Sequence, residues 1–238
     1  MRKGQSISPI VLATLLVFAS AVQSRAQTNA SSLEKTNELA QSGSVVSLPG
    51  LTIHGGEKGF VEATGKMALT DGILEFVAVD AKGRDYESLL TLDCKPSELQ
   101  FALLLIGCET GAVPGHAKAG EKPGSPLVLE IEWQDQGRAR RVPVEQLLVD
   151  RRTRKSPESL PWVFNGSYFA RSPITNRDVF QADEEQAFIA LWWEPSILIN
   201  LGVEYGDPYR GDKQGFEVKT AVAPAKDTPI KLILRKRG

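Results

Sequence analysis

The 238-residue chain carries 28 Lys and Arg against 29 Asp and Glu, a net charge of −1, with 42% of its side chains hydrophobic. That balance excludes a polycation made to bind nucleic acid and leaves room for one domain with a sizeable core. Two cysteines cannot by themselves ligate an iron–sulfur cluster, so no cofactor is expected from that source.

Arg2 and Lys3 open the chain, an apolar run follows from Ile10 to Val22, and Ser24-Arg25-Ala26 places small residues where a signal peptidase reads. This layout predicts a secretory leader over residues 1–26 and a periplasmic or secreted product, with no transmembrane segment once the leader is removed. The apolar run is not followed by a cysteine, so a lipoprotein anchor is not expected. Without Arg2, Lys3 and Arg25, 25 basic side chains remain against 29 acidic ones, a net charge of −4. Residues 27–44, rich in Ser, Asn, Gln and Glu, read as a disordered lead-in, and residues 45–238 as a single domain.

Short β-like runs then alternate with turn signals. Residues 51–54 and 60–63 come first. Residues 73–79 and 85–92 flank Asp80-Ala81-Lys82-Gly83, whose chemistry predicts an antiparallel hairpin with Glu75 opposite Ser88 and Glu87 opposite Phe76. Both runs are apolar on both faces and should be central and covered. A helix is predicted over 97–106, with Ser97 and Gln100 as a capping box and Gly107 at the left-handed end position. It is apolar nearly all round, which predicts burial. A helix of about nine residues is roughly 13 Å long, so Cys94 and Cys108 at its two ends should stay free thiols rather than form a disulfide.

Residues 107–126 hold five glycines and three prolines, a long loop that is either functional or floppy. Residues 128–133 alternate as a strand with one wet face, and a turn leads into 138–142. Pro143 can open a short helix through Leu148. Residues 162–164 form a further run, and 179–181 with 187–193 predict a hairpin turning at 182–185. Glu194-Pro195-Ser196 marks a brief helical turn ending at Leu201, and residues 229–234 make the closing strand. The sum is a single strand-rich α+β domain, mainly antiparallel sheet with one buried helix and one or two short ones.

The succession Gly72-Ile73-Leu74-Glu75-Phe76-Val77-Ala78-Val79, Tyr86-Glu87-Ser88-Leu89-Leu90, and Lys95-Pro96-Ser97 before Ala102-Leu103-Leu104-Leu105-Ile106-Gly107 resembles the YdjY-type domain of exported bacterial proteins. Trp162-Val163-Phe164-Asn165-Gly166-Ser167, Ile189-Ala190-Leu191-Trp192 and Ile197-Leu198-Ile199-Asn200 fit the same pattern. The resemblance covers roughly residues 51–234. It implies an exported domain and assigns no chemistry. Some relatives are described as ferredoxin-like, a property this chain lacks the cysteines to share.

Glu75 shares a strand face with Ile73, Val77 and Val79, and an acid there must find partners or shift its titration. Glu75, Glu87 and Ser88 are therefore the candidate catalytic cluster, an acid/base pair beside a pocket. The acids Asp178 and 183–185 lack the spacing of a calcium loop, and His54 and His116 lack that of a zinc site, so no metal is expected. Seven cations between Arg138 and Lys155 form either a basic stripe or a solvated strand face. His116, Trp193, Asn200 and Tyr205 are the candidate ligand-contacting residues, with an aromatic platform for a sugar ring among the options. The expected role is a non-catalytic cell-envelope module for a partner protein, glycan or anionic surface. The alternative is an enzyme using Glu75, Glu87 and Ser88 in a cleft.

Overall fold

The computed structural model describes residues 43–203 and 214–238. The leader, nearly all of the lead-in and Tyr205 lie outside the described residues.

In chain order the strands are β1 (Val45–Leu48), β2 (Leu51–His54), β3 (Phe60–Met67), β4 (Ile73–Leu74), β5 (Phe76–Asp80) and β6 (Ser88–Leu92). After helix α1 (Pro96–Leu105) come β7 (Ser125–Asp135), β8 (Arg138–Pro143), β9 (Leu148–Asp150), β10 (Trp162–Phe164), β11 (Phe169–Arg171) and β12 (Asp178–Phe180). A short helix α2 (Gln181–Glu185) precedes β13 (Ala187–Ala190), β14 (Ile199–Leu201), β15 (Phe216–Val218) and β16 (Pro229–Lys236).

Eight of these strands run β3-β16-β7-β10-β14-β13-β5-β6, and β6 pairs back onto β3. The sheet is a closed eight-stranded barrel, with 42% of the described residues in strands and 12% helical. This overturns the expected α+β domain with an open sheet. The physical reason lies in β3. One edge of β3 pairs with β16 along its length, while the other edge divides. Residues 60–63 pair with β2 and residues 65–67 with β6, so β1 and β2 flare away where the barrel closes. A Cβ on Gly65 would lie 2.0 Å from the Thr91 carbonyl oxygen, and only glycine admits that approach. At eight strands an interior is just wide enough for side chains to fill or to hold one small ligand. Here Val61, Leu129, Ile131, Trp162, Phe164 and Leu232 are among the buried residues of one continuous core.

Two pairs in the barrel are parallel, β13–β14 and β5–β6. The second corrects the predicted hairpin, because Phe76 stands beside Ser88 and Ala78 beside Leu90, both strands running the same way. The turn at Asp80 does form: Gly83 N–H donates to the Asp80 carbonyl at 2.9 Å and Lys82 N–H to Asp80 Oδ1 at 2.6 Å. A 3-10 turn at Asp85–Glu87 then reverses the chain again. Residues 81–87 thus make a crossover far shorter than the dozen or so residues such connections usually need.

Helix α1 packs against β2, β3 and β13. Since β3 and β13 are not neighbours in the barrel, it lies across one mouth. Leu99, Ala102, Leu103 and Leu105 enter the core, whereas Phe101 and Leu104 remain about half exposed, so the helix is not buried all round. Its cap also differs from expectation. Pro96 takes the first turn, and Glu98 accepts the Lys95 N–H at 2.8 Å. Gln100 instead accepts Ser167 N–H at 2.8 Å. Gly107 ends the helix at φ +80°, as its position suggests. The acidic turn at 182–185 is part of helix α2, and the expected helical turn after Glu194 is irregular and runs into β14.

The barrel wall is wet outside along β3, β7 and β16, whereas β6, β10, β13 and β14 are buried on both faces. Along β7 buried residues alternate with Glu130 and Glu132, which pair with Arg235 at 3.5 Å and Arg141 at 2.9 Å. No helix among the described residues is long and apolar enough to cross a membrane.

Candidate functional site

Glu75 sits in the break between β4 and β5, where its N–H donates to the Glu87 carbonyl and its own carbonyl accepts Leu191 N–H, each at 2.9 Å. Both carboxylates face Arg84, with Arg84 Nη1 3.5 Å from Glu75 Oε2 and 3.5 Å from Glu87 Oε1. Arg84 Nη2 lies 3.7 Å from Glu185 Oε2, and the guanidinium stacks 4.3 Å over the Phe76 ring. Ser88 is fully buried and its Oγ donates to the Arg84 carbonyl at 2.6 Å. The three predicted residues therefore meet, but around an arginine that sequence reasoning did not single out. Three carboxylates gather around one cation, a clamp that ties the crossover to β4, β5 and α2.

A cleft of about 660 Å³ opens at the other end of the same crossover, beside the N-terminus of α1. Pro49, Leu92 and Pro96 contribute apolar walls, and Asp80, Lys82, Asp93, Lys95, Glu98 and Asp183 reach its rim. Glu75, Arg84 and Glu87 do not line it. Each acid at the rim is engaged in holding the chain. Asp80 and Glu98 cap Lys82 and Lys95 N–H as described, Asp93 Oδ2 accepts from Thr64 Oγ1 at 3.0 Å, and Asp183 Oδ1 accepts Ser97 N–H at 2.8 Å. Cys94 also lines the cleft, but burial first and the Glu98 carboxylate second push its thiol up to about 12. Cys108, at the far end of α1, is pushed up to about 11 by burial. Both cysteines are buried and free, and neither is a ready nucleophile.

The 107–126 loop is folded rather than loose. Ala112 N–H donates to Lys122 at 2.8 Å, Gly124 N–H to Ala112 at 3.1 Å, and Val113 is buried. His116 stacks on Trp193 with ring centroids 4.1 Å apart and planes 6° from parallel. Two of the predicted contact residues are thus together, clamping the loop to the β13–β14 connection. One face of Trp193 is covered by the imidazole, which leaves only its other face for a ring to stack on. Asn200 is fully buried and plays a structural part. Its Oδ1 accepts Glu194 N–H at 2.8 Å, and its Nδ2 donates to Asn165 Oδ1 at 2.8 Å and to the Glu194 carbonyl at 2.9 Å. A side chain so fully satisfied has nothing left for a ligand.

The basic stripe is largely paired: Arg140 with Asp135 at 3.4 Å, Arg141 with Glu132 at 2.9 Å, Arg152 with Asp150 at 3.0 Å and Arg154 with Glu217 at 2.7 Å. At Asp150 burial opposes ionisation, yet the Arg152 hydrogen bond and charge outweigh it and hold the carboxyl below the usual range. Among the described residues no group of three or more His, Cys, Asp or Glu side chains is placed to hold a metal ion. What sequence reasoning missed is apolar. Phe101, Leu104, Tyr168, Phe169 and Ile174 stand exposed on α1 and around the β11–β12 hairpin, two neighbours tied by the Gln100–Ser167 bond.

No curated protein and no solved structure matches the chain. The family model of the YdjY domain matches residues 57–235, which takes in every barrel strand. The chain belongs to the YdjY domain family.

Proposed function

We propose that this protein is an exported, non-catalytic binding module of the cell envelope. The observation that supports it most is that, among the described residues, the acids of the Arg84 clamp and of the cleft rim are all engaged in holding the chain. Glu75 and Glu87 are clamped by Arg84 away from the cleft, and the acids at the cleft rim cap backbone or hydroxyl groups. Chemistry needs an unengaged acid or base within reach of a substrate. Recognition needs only surface, and large apolar side chains are left on α1 and the β11–β12 hairpin. Export rests on the charged, apolar and small-residue layout of residues 1–26. The enzyme alternative built on Glu75, Glu87 and Ser88 has the weaker support.

A photo-crosslinking residue placed at Trp193, and separately at Phe169, tests the reading in envelope preparations. One reproducible adduct at either position is the expected result, and none at both sinks it. N-terminal sequencing of the envelope protein should begin at Gln27. Recovery only as a cytosolic precursor with its leader intact would overturn export.

A further inference from the structure

The β11–β12 hairpin stands apart from the barrel. Its two strands pair with each other and with no other described strand. It is pinned at its base, where Phe180 enters the core and Phe169 lies against it at 5.4 Å between ring centroids. At that base Tyr168 is 50% exposed and Phe169 72%, and at the tip Ile174 is 85% exposed, the highest of any large hydrophobic described.

An isoleucine in that position is held there by structure. Ser172 is fully buried, and its Oγ donates to the Glu184 carboxylate of α2. The same oxygen accepts the N–H groups of Ile174 and Thr175 at 3.3 Å each. Ser172 N–H donates to the Arg177 carbonyl at 2.8 Å, and Asn176 N–H returns to the Ser172 carbonyl at 2.9 Å. The tip is thus a rigid loop that keeps Ile174 in water when folding could have buried it. Arg171 and Arg177 flank it; Arg171 pairs with Asp178 at 3.6 Å and donates from Nε to Asn176 Oδ1 at 3.0 Å, while Arg177 is exposed.

We propose that this hairpin docks the protein on an anionic lipid surface. Ile174 enters the interface between headgroups and acyl chains, Phe169 and Tyr168, nearer the barrel, sit at headgroup depth, and Arg177 meets the phosphates. The proposal rests on the binding-module reading and names its partner. A lipid surface fits better than a protein because the feature is a narrow convex tip. Protein interfaces need about 800 Å² per partner around a flat or concave centre, whereas a bilayer accepts a small protruding wedge wherever it lands.

The test is co-sedimentation of the chain from Gln27 onward with vesicles of phosphatidylglycerol and phosphatidylcholine. Wild type should pellet with mixed vesicles, less so with phosphatidylcholine alone, and less as salt rises. Ile174→Asp should weaken partitioning by about tenfold or more, because it places a charge where a branched hydrocarbon entered. Arg177→Gln should weaken it by about fivefold, and Arg138→Gln on the distant β8 edge should leave it unchanged. Both tip variants alter exposed side chains, and an unchanged thermal midpoint confirms that each still folds. Failure of wild type to pellet, or pelleting that ignores Ile174→Asp, overturns the proposal. A photo-crosslinker at 174 that captures a defined protein instead of lipid also overturns it, while leaving the binding-module reading standing. Absence of any adduct at 169, 174 and 193 defeats both.

Discussion

Arg84 is the residue on which the most depends. It holds Glu75, Glu87 and Glu185 together, and Glu87 is nearly buried. Replacing it with alanine leaves two acids facing each other in little water, at an expected loss of about 2–3 kcal/mol in unfolding free energy. Urea denaturation measures that loss, and Glu87→Gln in the same background should recover part of it, because the two changes share one contact. No loss in Arg84→Ala would mean that the clamp is ornamental. The two thiols give a second test. Each has its folded value raised above its ordinary 9.0, so its contribution to stability is complete below about pH 9 and fades as pH climbs toward 11 to 12. Stability should accordingly fall in alkali, by less in Cys94→Ala, and alkylation at neutral pH should wait for unfolding. The free thiols were legible from the sequence, since a helix between them sets their separation. Arg84 was not, because an antiparallel register put Ser88 where the arginine does its work.

Helix α2 is only five residues long, yet each of its acids reaches a different element. Asp183 caps α1 through Ser97, Glu184 holds the hairpin tip through Ser172, and Glu185 completes the Arg84 clamp. As a turn with acids it looked inert in sequence. As a helix ended by Gln186 at φ +57° it is the latch between α1, the hairpin and the crossover. Asp183→Ala should cost about 1 kcal/mol, the usual worth of a lost cap, and Asp183→Asn should recover most of it in the same thermal or urea melt. Equal losses in both would argue for charge rather than capping. Local rules located α1 to within a residue, because Pro96 and Gly107 punctuate it. They failed at β5 and β6 for an instructive reason. The turn that Asp80 signals is present, but a second reversal at Asp85–Glu87 follows at once, and no turn chemistry announces how many reversals a link contains.

At the scale of the molecule, alternation in β7 or β16 says which side chains face the core and is silent on which strand comes next. Closure of the sheet was therefore invisible, although nearly every barrel strand was foreseen as a strand. It depends on β3 changing partner at Gly65. Gly65→Ala should drive a methyl group into the Thr91 carbonyl and cost about 3 kcal/mol or more. Hydrogen exchange should show β5 and β6 opening first, and protection equal to wild type there would refute the seam. The ring also places β16, which ends at Lys236, between β3 and β7 rather than at an edge. β16 follows every other barrel strand in chain order, so the stave that joins the early strands to the middle ones is the last of the ring to be placed. Until that stave arrives the rest cannot lock, and such long-range pairing is slow in any case.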